Sequence, residues 1–416
     1  MNWLYNTAIN LYACGAKIAA IKSRKISQMI QGQKETLEKL PSLFKDGDNP
    51  IWIHAASLGE FEQGRTLIEQ VKEKFPEKKI LLTFFSPSGY EVRKNYDKVD
   101  AVAYLPFDKP ENAAKFVECV KPSMAIFVKY EFWGNYIQTL RKHNIPVYII
   151  SAIFRPKQIF FRPGGGFMRD ILRCYKHLFV QDQASAELLA SIGIENVTVA
   201  GDTRFDRVTQ IVSSPTPIAG IERLCGGKGV DIIFGSSWHA DEIHYTAWLN
   251  SNPDVTFIIA PHEFNDHRLN LLKSSIKQGK ILFLSEYEKI FTTTGKAPEV
   301  RGLIIDSFGK LSTIYRYGKI AYIGGGFGAG IHNINEAAVY GMPIVFGPKY
   351  SKFKEAKDLI SLGGAFSVSS TSETAKILTL LTTDHKHRTD AAEIARAYIK
   401  RNLGATNIIF KHIFNV

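Results

Sequence analysis

Short β-rich runs alternate with helical patterns along most of this sequence, and this alternation constrains the fold more than any other feature. From Ile51 onward the first half carries six such runs: IWIHAA, KILLTFF, AVAYLPF, MAIFVKY, IPVYIISA and HLFVQD. The stretches between them, such as residues 61–75 and 111–120, are amphipathic with the period of a helix. Strands that alternate with helices form a parallel sheet covered on both faces, so we expect an α/β domain.

A segment rich in proline and glycine, SSPTPIAGIERLCGGKG at residues 213–229, interrupts the alternation. Seven further runs follow: VDIIFGS, VTFIIAP, KILFLS, GLIIDS, KIAYIGGG, MPIVFGP and GAFSVSS. With 416 residues the chain is long enough for two domains. We predict one doubly wound, Rossmann-like domain over residues 26–212, a linker over 213–229 and a second such domain over 230–416. The second domain includes a closing helix over 386–401. A central cleft is expected at the carboxyl ends of both sheets.

The first 25 residues contain no Asp or Glu and read as a separate helix. Apolar or small residues recur along one side of it: Leu4, Ala8, Leu11, Gly15 and Ile18. Its uncharged run ends at residue 16, short of the roughly 20 apolar residues that a membrane span needs. Basic residues follow at positions 22, 24 and 25. We predict an amphipathic or marginal membrane anchor over residues 1–25, with a core helix of the first domain as the alternative.

The net charge of +12 and the pI of about 9.3 favour anionic partners, namely nucleic acid, acidic lipid or a phosphorylated substrate. The sequence has no Lys/Arg-rich recognition helix and no interleaved basic and aromatic strand, so nucleic acid is disfavoured. The four cysteines are far apart and have no metal-site spacing. We therefore expect reduced thiols in a cytosolic protein and no metal site built from these cysteines. We also predict no cofactor.

One glycine-rich turn, GGGFGAGIHNINEAAVYG at residues 324–341, follows the apolar run KIAYI. Its glycines allow backbone to approach a ligand, and a helix that begins at HNINEAA offers free N–H groups to a phosphate. Asn333 is the expected N-cap. Glu336 either accepts hydrogen bonds from ribose hydroxyls or complements the helix dipole. The dinucleotide fingerprint is weak here, because no acid follows the next strand, and a nicotinamide or flavin site is disfavoured.

Three other loops of the second half place polar groups after predicted strands. These groups are Ser236 and Ser237, then His262, Glu263 and Arg268, and finally Ser307, Gly309 and Lys310. The carboxyl ends of parallel strands are where α/β domains bind ligands. Four such loops in one domain predict a phosphate or nucleotide site.

The first half carries the complementary signal. Glu60 and Glu131 each follow a predicted strand, and Arg204 precedes the linker. The functional interpretation is a pair of carboxylates that face the cleft and an arginine that reaches a phosphate or an anionic sugar. The alternatives are a helix-start acid for Glu60, a buried paired acid for Glu131, and a salt bridge from Arg204 to Asp202 or Asp206.

In order and spacing, HAASLGEFEQG, TFFSPSGYE, YLPFD, YEFWGN, GDTRFD, GSSWHADE and the glycine-rich turn resemble the 3-deoxy-D-manno-octulosonic acid (Kdo) transferase family of lipid A biosynthesis. The resemblance covers nearly the whole chain and implies the two-domain GT-B fold. It also implies a metal-independent, inverting transfer of Kdo from CMP-Kdo to a tetra-acyl lipid A precursor at the cytoplasmic face of the bacterial inner membrane. It implies neither nucleic acid nor a protein partner.

The same resemblance assigns roles to residues and to domains. Glu60 becomes the general base, with Glu131 and Arg204 as transition-state stabilisers. The first domain binds the acceptor, and the second binds CMP. The implied CMP contacts, beyond the serines and Arg268 named above, are His262, Glu263, Phe308, Gly309, Lys310, Asn333, Ile334, Asn335 and Glu336.

Several positions depart from the family pattern. Many members have Pro-Arg-His where this chain has Pro261, His262 and Glu263, and Arg268 is a candidate substitute for the arginine. A second acid is common before the E-x-W motif, where Lys129 and Tyr130 stand here. A lysine is common at position 204 and a serine at position 326.

Four alternatives stay open at this point: a GT-B enzyme that uses a UDP-sugar, a sugar-nucleotide epimerase, a non-enzymatic phosphate or nucleic-acid binder, and a membrane scaffold, which would leave the cleft loops unexplained. The segment FRPKQIFFRPGGGFMRD at residues 154–170 mixes aromatic, basic and glycine residues. It is either a mobile acceptor or membrane loop, or an ordinary surface loop.

Overall fold

The computed structural model describes residues 2–214 and 217–416, so Pro215 and Thr216 of the predicted linker lie outside the described residues. The chain divides into two compact units. The N-terminal unit runs to Arg207 and also includes Leu403–Val416, and the C-terminal unit is Val208–Asn402.

The N-terminal unit is built on a parallel seven-stranded sheet with the strand order β3-β2-β1-β4-β5-β6-β7. The strands are β1 (Ile51–Ala55), β2 (Ile80–Phe84), β3 (Ala101–Tyr104), β4 (Met124–Val128), β5 (Val147–Ala152), β6 (His177–Val180) and β7 (Val197–Val199). The helices are α1 (Asn2–Ala20), α2 (Arg24–Leu43), α3 (Leu58–Lys74), α4 (Pro87–Arg93), α5 (Pro110–Val120), α6 (Gly134–Lys142), α7 (Gly166–Leu172), α8 (Gln183–Ala190) and α9 (Thr203–Ser213). The boundary between the two units falls within α9, after Arg207. The order reverses between β1 and β4, which is the topological switch point where doubly wound sheets bind ligands.

The C-terminal unit contains a second parallel seven-stranded sheet, with the order β10-β11-β9-β8-β12-β13-β14. Its strands are β8 (Val230–Ser237), β9 (Phe257–Pro261), β10 (Ile281–Phe283), β11 (Gly302–Ile304), β12 (Gly318–Ile323), β13 (Ile344–Phe346) and β14 (Ala365–Ser367). The helices are α10 (His239–Ser251), α11 (Asp266–Ser275), α12 (Leu284–Thr294), α13 (Leu311–Ile314), α14 (Asn335–Ala338), α15 (Lys354–Leu362), α16 (Thr371–Thr383) and α17 (His385–Arg401). Here the switch point lies between β8 and β12.

The last helix, α18 (Ala405–Phe414), returns to the N-terminal unit. Ile409 and Phe410 are buried in the core that also contains Phe61 and Val71, and the Phe410 ring stacks on Phe75 with centroids 5.9 Å apart. The predicted second domain over 230–416 therefore differs from the observed unit at its end. The apolar face of α18 is covered by α3, a neighbour that local sequence cannot reveal.

The core of the N-terminal unit follows from the apolar runs of its strands. Trp52 on β1 is fully buried, and its ring contacts those of Phe116 and Tyr136 at centroid distances of 4.6 and 5.6 Å. Burying a large aromatic side chain stabilises a fold by roughly 1.5–3 kcal/mol. Helix α5 has proline at its first position and ends at Lys121 in the left-handed region, which are common helix start and stop features.

Helix α1 packs on this unit through one face. Ala13 and Ala16 are buried against α2 and its surroundings, and the Tyr5 hydroxyl donates a hydrogen bond of 2.5 Å to Asp108 Oδ2. The same hydroxyl accepts a 3.0 Å hydrogen bond from the backbone N–H of Gly134, at the start of α6. Asp108 is fully buried, and burial raises its pKa.

The opposite side of α1 is exposed. It carries the predicted apolar stripe, with Leu4, Leu11 and Ile18 all largely accessible, beside the exposed Trp3. Among the described residues we find no helix that combines the length and the apolar character required to cross a bilayer. One face of α1 thus packs on the unit as the alternative of a core helix predicted, and membrane anchoring through the other face stays a prediction.

Two further segments differ from expectation. Residues 217–229 of the predicted linker form a 3-10 helix at Ile221–Gly227, and Ile218 and Leu224 are buried. Segment 154–170 forms a 3-10 helix at Ile159–Phe161 followed by α7, with Phe154 and Phe160 in the core. A third 3-10 helix spans Tyr315–Tyr317.

Candidate active site

The two carboxylates predicted in the first half both follow strands at the switch point of the N-terminal unit. Glu60 lies in the first turn of α3, directly after β1, and Glu131 follows β4. Residues 51–54 of β1 pair in register with residues 124–127 of β4. The strands therefore deliver both side chains to the same edge of the sheet, as the sequence pattern predicted.

Glu60 is half-buried, and its carboxylate accepts a hydrogen bond from the hydroxyl of Ser57, the N-cap of α3. The first turn of a helix carries free N–H groups and a partial positive charge, which stabilise a carboxylate. The accessible part of this side chain is free to meet a substrate, so the geometry is compatible with proton abstraction.

Glu131 is buried and held through one oxygen by two ring N–H groups. Trp133 Nε1 donates to Glu131 Oε2 at 2.5 Å, and His54 Nε2 lies 3.2 Å from the same oxygen. On the other side of the imidazole ring, His54 Nδ1 lies 2.8 Å from the hydroxyl oxygen of Thr83. The same oxygen accepts a 2.8 Å hydrogen bond from Trp52 Nε1.

The pattern of donors fixes the simplest tautomer of His54. The Thr83 oxygen accepts from Trp52, so its single proton is available to His54 Nδ1, and Nε2–H then donates to the carboxylate. No residue that the structure describes donates a hydrogen bond to Glu131 Oε1. A buried chain of hydrogen bonds thus orients one oxygen and leaves the other for a ligand. The alternative predicted for Glu131, pairing with Lys or Arg, is replaced by pairing with histidine and tryptophan.

Arg204 forms an ion pair with Asp202, with N–O distances of 2.6 and 2.8 Å. This matches the salt bridge that the sequence offered as the alternative to a ligand contact. Tyr130 directly precedes Glu131 in the chain. Burial raises the pKa of its hydroxyl, the positive charges of Arg155 and Arg204 lower it, and the negative charges of Asp202 and Glu60 raise it. The charges of two predicted catalytic groups, Glu60 and Arg204, therefore both affect the pKa of this hydroxyl.

In the C-terminal unit the switch point carries a stack of three aromatic rings. Trp238 follows β8, His262 follows β9, and His332 follows β12. The His262 ring stacks on both others with centroid distances of 4.4 Å, and Trp238 Nε1 donates to His332 Nε2 at 2.9 Å. Burial, together with the charge of His262, lowers the pKa of His332 to about 4. His262 itself is exposed.

The glycines of the turn serve contacts within the protein. A Cβ atom on Gly324 would lie 2.2 Å from the backbone oxygen of Ser236, and one on Gly326 would lie 2.5 Å from the backbone nitrogen of Gly347. We expected these glycines to admit a ligand, but at these two positions they admit neighbouring loops. Asp241 at the start of α10 stabilises the turn, because its carboxylate accepts a 2.8 Å hydrogen bond from the backbone N–H of Gly325. Burial raises the pKa of Asp241.

The helix after this turn is shorter than expected and begins later. Helix α14 has one turn, and its N-cap is Ile334 instead of Asn333. The side chain of Asn333 still accepts a 3.2 Å hydrogen bond from the backbone N–H of Asn335 and donates a 3.1 Å hydrogen bond to the carboxylate of Glu336. Asn335 is fully buried, and neither polar atom of its side chain has a hydrogen-bond partner among the described residues.

The remaining predicted contacts divide into exposed groups and groups with protein partners. Glu263 and Phe308 are exposed, the latter by 79%, and Gly309 has a φ of +79°. Arg268 pairs with Glu242 at 2.7 Å and Lys310 with Glu288 at 2.8 Å.

The two serines of β8 face different surroundings. Ser237 is buried, and its hydroxyl lies 2.7 Å from that of Tyr245, so it does not reach a phosphate as predicted. Ser236 is half-buried and adopts a φ of +51°. Within residues 2–214 and 217–416, no group of three His, Cys, Asp or Glu side chains is arranged to hold a metal ion.

Sequence reasoning missed His54, Thr83, Tyr130 and the ring stack. A histidine inside an apolar strand reads as part of the core, and a partner 77 residues away leaves no local pattern. Tyr130 stands directly beside the predicted Glu131, which was the only available signal for it.

Comparison with known proteins supplies the family context. The family model described as 3-deoxy-D-manno-octulosonic-acid transferase (kdotransferase) matches residues 25–207, which contain Glu60, Glu131 and Arg204. The 3-deoxy-D-manno-octulosonic acid transferase of Aquifex aeolicus is 27% identical over 348 residues, which cover 81% of this chain and 87% of that protein. The enzyme of the same name from Haemophilus influenzae is 26% identical and covers 78% and 76%.

Solved structures match in fold. UDP-GlcNAc 2-epimerase from Neisseria meningitidis, bound to UDP-GlcNAc, aligns with a TM-score of 0.61 at 15% identity over 88% of this chain and all of that one. MurG from Acinetobacter baumannii aligns with a TM-score of 0.54 at 16% identity over the same shares. The chain has the GT-B fold of these proteins, and at such low identity the likeness extends to the fold alone. The central cleft between the domains stays a prediction.

Proposed function

We propose that this chain, whose residues 25–207 match the 3-deoxy-D-manno-octulosonic-acid transferase family model, is a glycosyltransferase of that family. In this proposal it moves Kdo from CMP-Kdo to a hydroxyl group of a tetra-acyl lipid A precursor. The observation that carries this proposal is the arrangement of Glu60 and Glu131. Both lie at the switch point of the unit that the family model matches, one accessible and one rigidly held.

In the proposed reaction the acceptor hydroxyl attacks the anomeric carbon of Kdo while Glu60 takes its proton. The bond from that carbon to the phosphate oxygen of CMP breaks, and the electron pair leaves with the phosphate. Attack from the face opposite the leaving group inverts the anomeric centre. Glu60 is suited to the base because its carboxylate is partly accessible and held by Ser57.

Glu131 and Arg204 are assigned to the charges that develop during transfer. Positive charge grows on the sugar ring, and a fixed carboxylate such as Glu131 stabilises it. Arg204 is already paired with Asp202. Because Asp202 partly neutralises its charge, Arg204 stabilises a developing anion less than an unpaired arginine would. CMP is assigned to the C-terminal unit, where the exposed His262, Glu263 and Phe308 are the accessible candidate contacts.

Association with the cytoplasmic face of the inner membrane is proposed for α1. Its exposed stripe offers apolar side chains to the bilayer interface, and the basic residues at 22, 24 and 25 follow on the same segment. Each well-placed Lys or Arg contributes about 1 kcal/mol of attraction to an anionic leaflet. The helix then lies in the interface, with Tyr5 and Ala13 against the protein.

The test is a transfer assay with a CMP-Kdo generating system, the tetra-acyl precursor and EDTA, read by mass spectrometry of the lipid. We expect one or more Kdo units on the lipid with the native protein and none with Glu60→Gln. Glu73→Gln is the matched control, because Glu73 is exposed on the same helix. No product with any protein would refute the acceptor, and an active Glu60→Gln would move the base to another residue.

A further inference from the structure

A cavity of about 430 Å³ lies beside the candidate active site of the N-terminal unit, and the mechanism above does not use it. Its wall is largely aromatic and apolar: Tyr5, Phe132, Trp133, Ile159, Phe160 and Met168. Its polar lining residues are Tyr130, Glu131 and Gln158, and through Glu131 the cavity adjoins the groups assigned to catalysis. Its volume is at the lower end of the range for small-ligand sites, which suits one slender group.

The chemistry of the wall selects an alkyl chain. The rings of Phe132 and Phe160 meet edge to face at 4.9 Å, and Tyr5 contacts Phe167 at 5.1 Å. Such a surface binds hydrocarbon because water leaves it, and the thioether of Met168 adapts to a flexible ligand. A sugar or nucleotide would leave most of its hydroxyl groups without partners on this wall.

The cavity adjoins helix α1, because Tyr5 of that helix forms part of its wall. Tyr5 contributes to the wall, while its neighbours Trp3 and Leu4 are exposed by 68% and 55%. The hydroxyl of Tyr5 is bound to Asp108, so its ring is fixed in place as part of the wall.

Positive charge flanks the same segment. Arg155, Lys157 and Arg162 are exposed on either side of the 3-10 helix that contributes Ile159 and Phe160. The ligand therefore combines a hydrocarbon chain with an anionic head group. Because Glu131 itself lines the cavity, the head group of a bound chain is brought to the edge of the sheet where Glu131 and Glu60 both lie.

We infer that this cavity binds one acyl chain of the anionic lipid acceptor and thereby places the acceptor's head group at Glu60. The identity of the acceptor rests on the proposed function, whereas the apolar site does not. The chain, rather than the phosphate groups alone, would then set the affinity for the acceptor. Removal of one methylene group from a fully buried chain lowers affinity by up to roughly fourfold.

The experiment measures quenching of tryptophan fluorescence by a lysophosphatidic acid with a brominated acyl chain, below its critical micelle concentration. Trp133 lies in the wall, and Trp3→Phe removes the exposed tryptophan of α1. We expect saturable quenching that Ile159→Asp weakens roughly tenfold or more, because the new carboxylate would be buried against hydrocarbon. Ile408→Asp is the control: Ile408 is 43% exposed and Ile159 47%, and Ile408 lies on α18, outside the cavity.

Three outcomes would overturn the inference. Equal quenching in Ile159→Asp and Ile408→Asp would exclude the cavity. Competition by glycerol phosphate alone would mean that only the head group is bound. Displacement by phosphatidylglycerol as effective as by the tetra-acyl precursor would assign the cavity to bulk lipid.

The transfer assay separates this inference from the proposed function. A raised KM for the precursor with unchanged kcat in Ile159→Asp supports both. Normal transfer and normal KM in Ile159→Asp would refute the cavity's role alone. Saturable quenching without transfer by the native protein would refute the proposed function. It would also refute the identity of the lipid that supplies the bound acyl chain.

Discussion

Replacement of Tyr5 by phenylalanine tests how firmly α1 is fastened to the N-terminal unit. The change deletes one oxygen that takes part in two hydrogen bonds, 2.5 Å to Asp108 Oδ2 and 3.0 Å from Gly134 N. A hydrogen bond to a carboxylate contributes roughly 1.5–3 kcal/mol net. The backbone N–H of Gly134 also loses its acceptor, so we expect the unfolding free energy of this unit to fall by about 2–3 kcal/mol. At roughly 2–4 °C per kcal/mol for a unit of this size, Tm falls by about 4–12 °C.

The chain offers a matched control on the same helix. Tyr12 is 52% exposed, its ring lies 5.7 Å from that of Phe107, and no hydrogen bond to its hydroxyl occurs among the described residues. Tyr12→Phe removes the same atom without removing a bond, so stability should change by less than about 0.5 kcal/mol. Thermal unfolding followed by circular dichroism compares the two variants.

Amide hydrogen exchange locates the effect. In Tyr5→Phe the amides of Gly134, Asn135 and Tyr136 should exchange faster, because the hydroxyl and Asp108 together hold the start of α6. Equal stability of Tyr5→Phe and Tyr12→Phe, or unchanged exchange at α6, would refute the reasoning. Tyr5→Phe keeps the aromatic ring in the cavity wall, so lost affinity for an acyl chain is not expected from it.

Two further predictions concern the candidate sites. Trp133→Phe removes the Nε1–H group that donates a 2.5 Å hydrogen bond to Glu131 Oε2. We expect kcat/KM for transfer to fall roughly tenfold to 150-fold. An unchanged kcat/KM would show that Glu131 does not need this hydrogen bond for its orientation. His332 has a pKa lowered from 6.5 to about 4, so its neutral form is favoured by the folded state, and the stability that it contributes is complete above pH 6.5 and is lost as pH falls toward 4. An NMR titration of the His332 ring with a midpoint near 6.5 would contradict this.

Local patterns predicted the strands well because each apolar run corresponds to one buried strand. All of the predicted runs contain observed strands, and the missed strand, β7, has three residues at a sheet edge with Val199 exposed. The position of Glu60 and Glu131 was predictable for the same reason. A side chain that follows a parallel strand must emerge at its carboxyl end.

The partners of those side chains were not predictable. His54 meets Glu131 through the register of β1 with β4, and Trp238 meets His332 across 94 residues. The same limit explains Ser237, whose hydroxyl faces Tyr245 on the following helix instead of the ligand edge. Local sequence specifies where a strand ends, whereas the packing of distant elements decides which groups each polar atom meets.

The return of α18 to the N-terminal unit has a consequence for synthesis. The ribosome adds about 5–20 residues per second, so roughly 20–80 s separate the first residue from the last. The C-terminal unit is continuous in sequence, so it can complete its core without any residue after Asn402. The N-terminal unit cannot, because Ile409 and Phe410 cover part of its core. The unit that begins the chain is therefore the last to be finished, and until then the exposed apolar surface beside α3 is a place where a chaperone can bind the nascent protein.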